Sequence, residues 1–177
     1  MISKNLAWCF VTLVWMQFCF AQNPSASAQQ LLYKLKSEEN GSTEIDFLAQ
    51  LSPEVLEEHL NSEAQRKAFW INVYNAFIIL KIRENPTLFK TKRNRFFKQK
   101  SLVVAQQKLS FDDIEHGILR RSKHKYSRGA FNKPFYRITK FEKKFRLDSL
   151  DYRIHFALNC GALSCPPIAF YEAGKIN

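Results

Sequence analysis

Ser62-Glu63-Ala64-Gln65-Arg66-Lys67-Ala68-Phe69-Trp70-Ile71-Asn72-Val73-Tyr74-Asn75-Ala76-Phe77-Ile78-Ile79-Leu80-Lys81-Ile82-Arg83-Glu84-Asn85-Pro86 is the stretch on which the fold turns. Ser62 and Gln65 stand at the spacing of a capping box, which satisfies two of the free N–H groups at a helix start. Pro86 disfavours helix at the residue before it, so the helix is expected to end near Glu84. Phe69, Trp70, Val73, Tyr74, Phe77, Ile78 and Leu80 make more than one apolar stripe, which marks a central helix surrounded by other elements. Asn72 and Asn75 are three residues apart and share a face of it. A buried carboxamide without partners costs about 1–3 kcal/mol. These two amides therefore tie the helix to neighbouring backbone or serve a site.

The elements before it are read the same way. Residues 22–28 are polar and read as a linker. Leu31, Leu32 and Leu35 are at helical spacing, and Glu38 to Ser42 reads as a turn. Ser52-Pro53 is an N-cap with Pro at the first helical position, opening a helix to about residue 60. Downstream, Leu102-Val103-Val104-Ala105 is a β-prone run that turns at Gln106-Gln107 into Lys108-Leu109. Ser110 and Asp113 then cap a further helix through Ile114, Ile118 and Leu119. In Arg153 to Cys160 the alternation predicts a strand, with Ile154, Phe156, Leu158 and Cys160 on one face and His155 and Asn159 on the other. Helices outnumber strands, so the fold class expected is α+β, mainly helical with a small β-sheet, in a single domain.

Three segments carry chemistry. The first is the Asn72/Asn75 face. The second is Asp113-Ile114-Glu115-His116-Gly117, where His116 lies between acidic and apolar neighbours and reads either as a base held by a carboxylate such as Glu115 or as a partly buried histidine satisfied by backbone. The third, Asp151 to Pro167, is the densest polar cluster. It brings His155, Asn159, Cys160, Ser164 and Cys165 together around Gly161. A thiol beside a histidine loses its proton more readily and becomes nucleophilic.

Ala68 to Ala76, Leu109 to His116 and Arg153 to Pro167 together resemble the signature blocks of the DUF547 family, over roughly residue 60 to the C-terminus. The resemblance implies a domain found in exported bacterial proteins and, fused to other domains, in plants, with no settled activity. It also implies that the domain ordinarily continues past the Cys-Pro-Pro block, so the chain is expected to lack part of it. The organisation expected is a leader at 1–21, linker and helices at 22–59, and the family-like domain at 60–177.

Two functions follow from the residues. One is a cysteine-dependent hydrolase or acyl transferase, with Cys165 or Cys160 as nucleophile, His155 or His116 as base, and Asn72 or Asn75 as orienter or oxyanion donor. Cys165 is preferred, because the expected strand points Cys160 into the apolar side. The other is a non-catalytic binding or scaffold module in which the two cysteines are structural or form a short disulfide. A Cys-x4-Cys pair with His116 and His155 lacks the two spaced ligand pairs of a structural zinc site, so neither metal nor cofactor is expected.

Composition sets the surroundings. Met1-Ile2-Ser3-Lys4, the apolar run Leu6 to Phe20, and small residues at Cys19 and Ala21 describe a secretory leader cleaved before Gln22. The run is shorter than the roughly 20 residues of a membrane span, so no stable span is expected after cleavage. Of the 4 cysteines, Cys160 and Cys165 remain in an exported, oxidising context. The formal net charge is +11, and the excess falls between Lys90 and Arg146. Such a region reads either as a solvated face or, in an exported protein, as a contact for an anionic surface or polymer before nucleic acid.

Overall fold

The computed structural model describes residues 23–127, 130–162, 165 and 167–176. The expected leader lies outside these residues, as do Leu163, Ser164 and Pro166 of the third segment. The architecture is mainly helical with one two-stranded antiparallel sheet, as the class expected from sequence has it. Among the described residues no helix is long and apolar enough to cross a membrane.

The stretch read as a linker is helical. Helix α1 spans Pro24–Lys36, because Asn23-Pro24 is itself a start signal: the Asn23 side chain accepts from Ser25 N–H, and Pro24 takes a position whose N–H is free in any helix. α2 spans Ser42–Gln50 and α3 spans Pro53–His59, the latter capped by the Ser52 hydroxyl. The central helix, α4, spans Glu63–Glu84 and carries the expected capping box, with Ser62 and Gln65 bonding each other's backbone. It is buried on all sides from Ala68 to Ile78. α1 packs along it through Leu31, Leu32 and Leu35.

Two short helices follow, α5 at Pro86–Thr91 and α6 at Arg93–Lys98. Neither is expected from the sequence, where Pro86 reads as a stop for α4. It is also the first residue of the next helix. α6 sends Phe96 and Phe97 inward, where Phe96 stacks on Phe111 at 5.4 Å.

The hairpin pairs β1, Leu102–Val104, with β2, Gln107–Leu109. Its two turn residues are Ala105 and Gln106, both at positive φ, the geometry that suits the right-handed twist of a two-residue hairpin. The turn is held from outside. Ala105 and Gln106 donate their N–H groups to the carbonyls of Leu48 and Ala49, which α2 leaves free at its C-terminus.

After the hairpin, Ser110 and Asp113 cap each other reciprocally. The helix they open is wider than an α-helix. Over Asp113–Leu119 its bonds run five residues back, as in Arg120 N–H to Glu115 O at 2.8 Å. Such π-helical turns are rare and favour functional sites. Helix α7, Lys140–Phe145, packs on this segment.

The expected strand at Arg153–Cys160 is a correction. Ile154–Ala157 is a single helical turn, α8, and the sheet gains no third strand. The Asp151 carboxylate accepts from Arg153 N–H and from its guanidinium, which starts the turn. Face alternation therefore says nothing of where Cys160 points.

Candidate functional site

Asn72 and Asn75 act on the backbone of the C-terminal segment. Asn72 donates to Tyr171 O at 2.8 Å and accepts from Tyr171 N–H at 3.0 Å. Asn75 donates to Ala157 O at 3.0 Å and accepts from Asn159 N–H at 2.9 Å. Each amide closes a two-bond clamp, and neither lines the cleft described below. These clamps hold α8 and the chain after it against α4, which fixes where His155 and Cys160 can lie.

A cleft of about 550 Å³ opens between four parts of the chain. α4 contributes Tyr74. α6 contributes Arg93 and Phe97. The π-helical segment and its flanks contribute Asp112, Glu115, His116 and Arg120. α8 and the residue after Asn159 contribute His155 and Cys160. Four of the seven candidate residues, Glu115, His116, His155 and Cys160, thus share one cleft although they lie in two distant segments. Tyr74, Asp112, Arg93, Arg120, Lys125 and Tyr126 were not singled out in sequence. Tyr74 reads as core, and the cations read as part of a diffuse basic run.

Charge in the cleft is mixed and mostly paired. Lys125 meets both oxygens of Asp112 at 2.8 Å. Arg120 lies 3.8 Å from Glu115. The Arg93 guanidinium donates to Cys160 O at 2.6 Å and stacks over Phe89, its centre 4.4 Å from the ring.

Glu115 is set apart from an ordinary carboxylate. Burial raises its pKa, Asp112 adds to the rise, and Arg120 opposes it. The Tyr74 hydroxyl donates to it at 3.4 Å. Burial, and then the Glu115 charge, push Tyr74 itself well above the usual phenol range, so it stays a donor. His116 is buried, which lowers its pKa to about 4 against the pull of Asp112. Arg120, Lys125 and Lys133 push the same way as burial. Its Nε2 stands 3.9 Å from both Asp112 and Glu115, too far for a hydrogen bond. The imidazole is neutral at pH 7, and among the described residues no carboxylate is close enough to fix its tautomer. His155 is exposed at the mouth, its ring beside Phe156.

Cys160 and Cys165 are joined in a disulfide. Cys160 is half-buried and forms part of the cleft wall. Gly161 makes the bend between them at φ +72°, a conformation that favours glycine. Among the described residues no group of three or more His, Cys, Asp or Glu is placed to hold a metal ion.

Residues 58–177 match the family model described as "Protein of unknown function, DUF547". No curated protein and no solved structure matches the chain.

Proposed function

The chain belongs to the DUF547 family, whose description names no reaction, and from the cleft's own geometry we propose that the domain is a latent cysteine-dependent hydrolase or acyl transferase of an exported protein. One observation carries this reading: a cysteine, two histidines and a glutamate of raised pKa line the same cleft. Perturbed acids gathered in a concavity are a physical sign of catalytic use.

The chemistry requires an open disulfide. A dithiol reductant gives two electrons and two protons to the Cys160–Cys165 bond and leaves as its own disulfide. The freed Cys160, rather than the Cys165 favoured from sequence, is the nucleophile, since it forms the wall. His155 takes the thiol proton. The thiolate attacks an acyl carbon, a carbon–sulfur bond forms, and the leaving group departs with a proton from Glu115. Glu115 then takes a proton from water or a second acceptor, which attacks the thioester and breaks its carbon–sulfur bond, and His155 returns its proton to the departing thiolate.

The test is hydrolysis of phenyl acetate by the purified domain, because its more basic phenol leaving group draws on the proton that Glu115 supplies. Turnover should appear only after reduction, disappear in Cys160→Ser and fall by about a hundredfold in Glu115→Gln. Equal turnover in Cys160→Ser, or none above buffer in the reduced wild type, would sink the proposal.

The second reading, a binding module with structural cysteines, is favoured by the closed disulfide and by the Arg93 bond to the Cys160 carbonyl. Under it reduction changes stability and no turnover appears.

A further inference from the structure

A second concavity, of about 290 Å³, shares no residue with the cleft. Its wall holds five cations from three parts of the chain: Arg66 on α4, Arg121 after the π-helical segment, Lys143 and Lys144 on α7, and Arg146 just past it. Two acids answer them. Asp148 pairs with Arg66 at 2.7 Å, and Glu57 pairs with Lys144. Arg121 and Lys143 form no ion pair among the described residues, and Arg146 reaches only the Ser122 hydroxyl, at 3.2 Å. The Arg66 bond to Asp148 uses one terminal nitrogen, and its Nε is buried without a hydrogen-bond partner.

Several like charges held around one hollow repel one another, and the repulsion is relieved when an anion enters. The backbone contributes to holding them there. Arg121 and Ser122 both lie at positive φ, 51° and 58°, an uncommon conformation for side chains of their kind. Ser122 N–H is tied to Gly117 O at 2.7 Å, and Ser122 O accepts from Lys133 N–H at 2.7 Å. The strained pair is thus fixed on both sides, and Arg121 stays on the pocket wall. Three cations without acidic partners among the described residues, two of them planar guanidinium forks, match a tetrahedral dianion better than a single carboxylate.

We propose that this pocket binds a terminal phosphate group. The phosphate is carried by a soluble phosphorylated molecule or by a lipid headgroup. The site owes nothing to the disulfide or to the acid–base cleft, so it stands whether or not the domain is an enzyme. It also gives the basic region between Lys90 and Arg146 a definite place of contact.

Isothermal titration with inorganic pyrophosphate at about 0.15 M salt tests it, since screening there removes loose surface attraction. Saturable binding at one site is expected. Arg121→Gln and Lys143→Gln should each weaken it by about tenfold, whereas neutralising Lys98 and Lys100 together should change it by less than about twofold. Both Gln variants keep a Cβ at positions already exposed, so folding is preserved and is checked by circular dichroism. Vesicles of phosphatidylcholine with phosphatidic acid separate the sources. Sedimentation of the wild type but not Arg121→Gln identifies a lipid phosphate, and pyrophosphate binding without sedimentation identifies a soluble one. Absence of both kinds of binding, or an equal loss in the Lys98/Lys100 variant, would overturn the assignment.

Discussion

Asn75 bonds backbone with both ends of its amide, so its removal leaves a carbonyl at Ala157 and an N–H at Asn159 without partners. Asn75→Ala should lower unfolding free energy by about 2–4 kcal/mol, read from urea melts, because two part-buried groups lose their bonds. Asn75→Asp should cost as much, since a carboxylate cannot donate to Ala157 O. His116 offers a test through pH. Its pKa falls on folding from the ordinary 6.5 to about 4. The unfolded chain therefore binds the extra proton first. The stability tied to the neutral ring is complete above about pH 6.5 and is lost as pH falls toward 4, an effect of about 3 kcal/mol. His116→Gln should flatten that part of the pH–stability profile; an unchanged slope would mean that the ring is not held neutral. At this scale the sequence displayed which groups had chemistry. It did not display their partners. Asn72 and Asn75 were visible as a pair on one face, yet Tyr171, Ala157 and Asn159 lie 82 to 99 residues away along the chain. Glu115 was visible, while the phenol that donates to it looked like one more core aromatic.

Elements with a local start signal were legible, and those decided by distant contacts were not. Ser62 to Gln65 fixed the beginning of α4, and Asn85-Pro86 its end. The hairpin followed from a β-prone run and a short turn, although the turn falls one residue earlier than expected. α8 is helical although Arg153 to Cys160 alternates as a strand would. Among the described residues that segment pairs with neither strand of the sheet. Asp151 starts a helical turn and Asn75 holds its end, and the Arg153 bond, helped by Lys67, keeps the Asp151 carboxyl well below the usual carboxylate range. The bend that follows rests on Gly161. A side chain there would run into Ile82 and Phe89, at a φ that already disfavours one. Gly161→Ala should destabilise the domain by about 1–3 kcal/mol and slow closure of the Cys160–Cys165 bond on reoxidation. Equal stability and equal closure rates in the variant would show that the bend tolerates a Cβ.

Taken whole, the domain wraps short helices and one hairpin around α4 and leaves a cleft where the π-helical segment meets the chain after α8. Hydrophobic patterning conveyed the first of these facts, since apolar residues on every side of one helix demand neighbours on every side. The cleft depended on the unusual width of the Asp113–Leu119 turn and on the two amide clamps, neither of which has a sequence period to betray it. The account rests on Cys160 being a sulfur of that cleft wall, closed in a disulfide and reactive once released. Iodoacetamide labelling followed by peptide mass mapping, with and without prior reduction, measures this directly. The oxidised domain should take no label and show a mass two hydrogens short. After reduction Cys160 should label at least about tenfold faster at pH 7 than free cysteine, and faster than Cys165. Labelling of both cysteines without reductant, or equal and slow labelling of the two after it, would contradict the account.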